Sequence, residues 1–153
     1  MDGAILLISA DDGPMPQTKE HLLLAKQVGV TKVIVFINKA DIVDREMLEL
    51  VEIEALELLD EYGFDTTNTP IIYGSAKLAL DGDISEYGEP SIIKLISALD
   101  NYVDLPKRDH DSPFLMPIDN ILPVQGRGTV IVGTIKQGTM KKKDVAQGIS
   151  FVH

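Results

Sequence analysis

The tetrapeptide Asn38-Lys39-Ala40-Asp41 puts an amide, an ammonium on a long apolar stem and a carboxylate into one short loop. That set suits a purine that offers paired donors. The Asp41 carboxylate can accept two parallel hydrogen bonds, from the ring N–H and the exocyclic amine of guanine. Adenine presents no such pair, so the carboxylate separates the two bases. Asn38 can tie the loop together and reach the polar edge of the base. The stem of Lys39 can lie across the ring plane while its ammonium stays in water. The plainer alternative is a solvated strand-to-helix turn, with Asn38 and Asp41 as turn residues and Asp44 as a helix cap. A second loop, Gly74-Ser75-Ala76-Lys77, has small residues that let a main chain approach a ring closely. Its Ala76 N–H is a candidate donor to the guanine carbonyl oxygen. Taken alone, this second loop reads as an ordinary Gly-Ser connection.

Both loops follow apolar runs that read as strands. Ala4 to Ser9 ends in the turn Asp11-Asp12-Gly13-Pro14, Val33 to Ile37 ends at Asn38, and Ile71 to Tyr73 ends at Gly74. Their continuous apolar character predicts strands covered on both faces, as in a parallel sheet. Helical periods lie between them. One runs from about Pro16 to Val28, stopped by Gly29. A second runs from about Asp44 to Glu61, with Met47, Leu48, Val51, Ala55, Leu58 and Leu59 on one face and Gly63 beyond it. A third follows Pro90, with Ile92, Leu95, Ile96, Leu99 and Tyr102 at helical spacing. Strand and helix alternate, which predicts an open α/β sheet. Ligands of such sheets bind outside the carboxyl ends of the strands, where both loops sit.

The pattern changes after Val103. Residues 104–112 form a polar, proline-marked linker, and residues 113–153 show no helical period. Phe114 to Val124 and Thr129 to Ile135 read as two strands around Gln125-Gly126-Arg127-Gly128. Two strands cannot bury a core alone, so this segment reads as the start of a larger β domain. The expected organisation is therefore an α/β domain over 1–103, a linker over 104–112 and a β segment over 113–153.

Composition narrows the function classes. Residues 1–103 carry 19 acids against 7 bases, whereas residues 104–153 carry 5 against 7. An acidic first part repels a phosphate backbone and is a poor non-specific nucleic-acid binder. Without cysteine, neither a disulfide framework nor a thiolate metal site can form. No apolar run approaches the ~20 residues that span a bilayer. The short apolar stretch from Ala4 to Ala10, flanked by Asp2 and Asp11, is not a signal peptide.

The paired loops resemble the base-recognition loops of GTPases. The opening Met1-Asp2-Gly3-Ala4 and the run from Asp12-Gly13-Pro14-Met15-Pro16-Gln17-Thr18 through Leu24 resemble elongation factor Tu. Gly126-Arg127-Gly128-Thr129-Val130, with Gly133 and Gly138, is similar to the opening hairpin of that family's second, β-barrel domain. Asn38 to Asp41, the Glu89 to Tyr102 helix and the Leu105 to Phe114 linker look most like the mitochondrial branch. The resemblance implies a P-loop GTPase-type parallel sheet flanked by helices, followed by the start of a β-barrel. It implies a GTP-binding factor that delivers aminoacyl-tRNA to the ribosome in mitochondria. Asn38, Lys39, Asp41, Ser75, Ala76 and Lys77 would read the guanine of GTP or GDP. Gln17 and His21 match positions that meet the nucleotide-exchange factor of the Ts type.

Other expected parts do not occur. The sequence has no G-x-x-x-x-G-K-[ST] to wrap phosphates, lacks the Asp-x-x-Gly that follows the third strand of the family, and has none of the family's magnesium ligands or its catalytic His. The chain begins where those segments would have just ended, so it reads as a truncated piece that retains guanine recognition only, with weak or absent nucleotide affinity. Val132 replaces the family's usual Thr, Lys143 stands where Gly is expected, and the stretch through His153 drifts from the pattern. The alternative function is a non-catalytic fragment or relic that contacts the exchange factor without turning over nucleotide.

Overall fold

Continuous β-branched and aliphatic runs form the first sheet. The computed structural model describes residues 1–104 and 109–148. Part of the linker expected at 104–112, and the last five residues of the divergent tail, lie outside them. The chain divides into two units, Met1–Leu105 and Pro106–His153.

In the first unit, β1 (Gly3–Ser9), β2 (Lys32–Asn38) and β3 (Ile71–Tyr73) form a parallel sheet in the order β1-β2-β3. Ser9 pairs with Asn38 and Ile37 with Tyr73, so all three strands end at the same edge. Helices α1 (Pro16–Gln27), α2 (Arg45–Glu61), α3 (Ala76–Leu80) and α4 (Glu89–Tyr102) complete the unit. Side chains of β2 alternate between two cores. Val33, Val35 and Ile37 join Leu6, Ile8, Leu22 and the α2 row Leu48, Val51, Ala55, Leu58 and Leu59 on one face. Ile34, Phe36 and Ile72 pack on the other face against Ile92, Leu95, Ala98, Leu99 and Tyr102 of α4. Each fully buried aliphatic side chain of this kind contributes about 1.5–3 kcal/mol of transfer free energy.

The expectation of strands covered on both faces holds for β2 and needs correcting for β1. Leu6 and Ile8 are buried, but Ile5 is 44% and Leu7 62% exposed. A continuous apolar run states that a strand is apolar, not how many layers cover it. β1 is an edge strand here, and the α4 layer lies against β2 and β3.

Local signals set the helix ends. Asp44 caps α2, its carboxylate accepting from the Met47 N–H at 2.8 Å. The Lys26 ammonium donates to the Gly63 carbonyl just past α2 at 2.6 Å and lies 4.8 Å from the Phe64 ring centre, which ties the end of α1 to the end of α2. Helix α3 has no counterpart among the helices expected from periodicity. Five residues are too few to show a period, and the first two, Ala76 and Lys77, belong to the segment whose sequence reads as a Gly-Ser loop.

The second unit contains an antiparallel pair, β4 (Ile118–Val124) and β5 (Gly128–Gly133). Val124 pairs with Gly128, and the Arg127 N–H donates to the Val124 carbonyl at 3.0 Å across the turn. β4 starts four residues later than the expected Phe114. Pro117 has no N–H to give a ladder, and Leu115 instead bridges Gln137. A parallel α/β unit followed by an antiparallel hairpin is the expected fold class, a GTPase-type sheet followed by the start of a barrel.

Candidate functional site

The parallel register brings the ends of β1, β2 and β3 together, and hydrogen bonds lock the loops that leave them. The Ala10 N–H donates to the Asn38 carbonyl at 2.8 Å. The Gly74 N–H donates to the Ile37 carbonyl at 3.0 Å, and the Ala40 N–H returns to the Gly74 carbonyl at 3.1 Å. Asn38 adds a side-chain tie, its Oδ1 accepting from the Ala76 N–H at 2.9 Å. The structure thus joins the two loops, as the sequence pairing requires. It uses the Ala76 N–H for that tie, whereas the sequence suggested it as a donor to a ligand carbonyl.

Lys39 has a φ of 62°, the left-handed region that non-glycine residues adopt at a cost and that clusters at functional turns. Its ammonium, still open to water, is ion-paired. It reaches both oxygens of Asp11, at 2.9 and 3.0 Å, with Asp12 at 4.0 Å. The Asp11 carboxylate also accepts from the Ser9 hydroxyl. That hydroxyl bond and then the lysine hold Asp11 at a pKa of about 2, below the usual carboxylate range. The same carboxylate raises the pKa of Lys39. Asp41, two residues on, is exposed, and among the described residues its carboxylate takes part in no hydrogen bond or ion pair.

Ser75 is buried at 2% exposure. Its N–H donates to the Tyr87 carbonyl at 2.7 Å, and its Oγ accepts from the Leu78 N–H at 3.3 Å as the cap of α3. Lys77 is exposed on α3. Gln17 and His21 are exposed on α1, four residues apart and therefore on one face.

Sequence reasoning missed the support behind the second loop. Ser91, fully buried at the start of α4, donates to the Gly88 carbonyl at 2.7 Å and the Tyr87 carbonyl at 3.0 Å. A Cβ on Gly74 would collide with Ser91 Oγ and the Phe36 ring, so the loop needs glycine for close approach rather than for turning. Nothing in the sequence around Ser91 signals this role, because its partners are main-chain carbonyls.

This edge brings together an exposed carboxylate at Asp41, the aliphatic stem of Lys39 and the small residues Gly74, Ser75 and Ala76. Among the described residues no three His, Cys, Asp or Glu side chains are grouped as they would be around a metal ion. The family model described as the elongation factor Tu GTP binding domain matches residues 1–105. The chain belongs to this family. Asn38 to Asp41 and Gly74 to Lys77 therefore lie inside the matched part of an elongation-factor-type GTP-binding domain. The β4–β5 hairpin lies outside it.

Proposed function

We propose that the Met1–Leu105 unit reads the guanine base of GTP and GDP, in the manner of a Tu-type elongation factor of the mitochondrial branch that carries aminoacyl-tRNA to the ribosome. The observation that carries this reading is Asp41. Its exposed carboxylate follows a strand whose end is hydrogen-bonded to the Ser75–Ala76 loop. A rigid loop that leaves one carboxylate uncommitted is organised to accept a donor pair. Lys39 supplies an apolar wall through its stem, and Ala40 and Gly74 hold the two loops in register. Lys77 stands exposed at the start of α3. Phosphate and magnesium contacts are assigned to no residue of this chain, nor is hydrolysis, so base recognition sets the affinity.

Calorimetry of the purified chain with GDP, and with ADP as control, tests the reading. Saturable binding of GDP but not ADP is expected. Asp41→Asn replaces one acceptor with a donor and should abolish the preference for guanine, shifting it toward xanthine, which has an oxygen in place of the exocyclic amine. Equal heats for GDP and ADP, or none from a folded chain at millimolar GDP, would overturn the proposal.

A second reading rests on Gln17 and His21, exposed on one face of α1. It makes this helix a contact for a Ts-type exchange factor without need of nucleotide. Capture of exchange factor that is unaffected by GDP and lost in Gln17→Ala with His21→Ala supports it, and capture unchanged by both substitutions removes it.

A further inference from the structure

The ion pair between Lys39 and Asp11 joins two loops through a residue that the base-reading motif does not contain. Asp11 follows Ala10, whose N–H is bonded to the Asn38 carbonyl, so its backbone is fixed relative to the motif loop. Its carboxylate is held from behind by Ser9 and from the front by Lys39. A lysine stem free at its tip samples many rotamers. Here the left-handed backbone at Lys39 fixes one end of the stem, and Asp11 fixes the other.

We propose that Asp11 is a positioning residue for base recognition, anchoring the Lys39 ammonium so that the methylene stem lies against one face of the bound guanine. The inference rests on the guanine reading above and adds to it the residue that sets the lysine. Asp12, at 4.0 Å from the ammonium, adds attraction without the close contact. The arrangement has a cost for a nucleotide: Asp11, Asp12 and Asp41 are all exposed carboxylates in these two loops, and they repel phosphates. Removing the Asp11 charge therefore has opposite effects on base and phosphate. A neutral nucleoside separates the two.

The test is an NMR titration of the chain with guanosine, following the Lys39 methylene protons and the affinity together. In the unaltered chain the ring current of the base should shift those protons upfield. Asp11→Asn should weaken guanosine binding about threefold or more, on the scale of an exposed ion pair, and abolish most of the methylene shift. Asp11→Glu should restore both in part. Lys39→Met keeps an apolar stem that needs no anchor, so adding Asp11→Asn to it should change nothing further. Undiminished binding and shifts in Asp11→Asn would overturn the inference and leave base reading intact. Weaker binding with the methylene shift retained would also overturn it, because Asp11 would then act other than through Lys39. No guanosine binding by the unaltered chain would sink the base reading itself.

Discussion

β2 and β5 are built from the same residue types and have opposite fates. Val33 to Ile37 are each no more than 2% exposed, whereas Val130, Ile131 and Val132 are 36%, 48% and 45% exposed. β2 lies between two strands with helices over both faces; β5 pairs with β4 alone among the described residues, and both strands are exposed apart from half-buried Gly133. Strand formation therefore follows from sequence, while burial follows from layers. The strand with layers ends in a loop, Asn38 to Asp41, that hydrogen bonds hold to the ends of both neighbouring strands.

The largest expected effect lies in the core. Ile34→Ala should destabilise the first unit by about 2–5 kcal/mol, because it removes a fully buried side chain from between β2 and α4. Ile131→Ala, its counterpart in β5, should change stability by less than about 1 kcal/mol. Urea unfolding followed by circular dichroism checks both, and equal costs would mean that β5 has a core the described residues do not show. Gly74→Ala comes next. It forces a methyl group against Ser91 and Phe36 and should cost about 1–3 kcal/mol while displacing the Ser75 loop, seen as shifted amide resonances at Ala40 and Ala76. The smallest expected effect is electrostatic. Asp11 has a folded pKa of about 2, below its unfolded value, so its pairing stabilises fully above the ordinary aspartate range and is lost as pH falls through about 2. Carboxyl-carbon NMR should show that midpoint, and Lys39→Met should move it upward. An unmoved midpoint would mean that the Ser9 hydroxyl alone depresses it.

Much of the first unit was legible because its signals are local. Apolar runs, Pro16, Asp44 and Gly63 gave the strands and the ends of α1 and α2 to within a residue or so, and Pro90 marked α4. The Asn38 to Asp41 motif was visible for the same reason. Three things were not visible. Helix α3 is too short to show a period. β1 lacks cover on Ile5 and Leu7, which a count of apolar residues cannot reveal. Ser91 serves main-chain carbonyls three and four residues back, and Asp11 takes a lysine 28 residues on, with no sequence pattern linking them.

The sequence by itself determined which segments are strands and helices, which loops follow the strands, and which side chains those loops carry. These depend on backbone preference and on the period of apolar residues, both short-range properties of the chain. Only the tertiary structure decided that the Ala76 N–H answers Asn38, that Asp11 takes the Lys39 ammonium, and that Asp41 stays uncommitted. Hydrogen bonds and ion pairs form between whatever groups the sheet register brings within about 3 Å, and register is a property of strands paired across the fold rather than of any one loop.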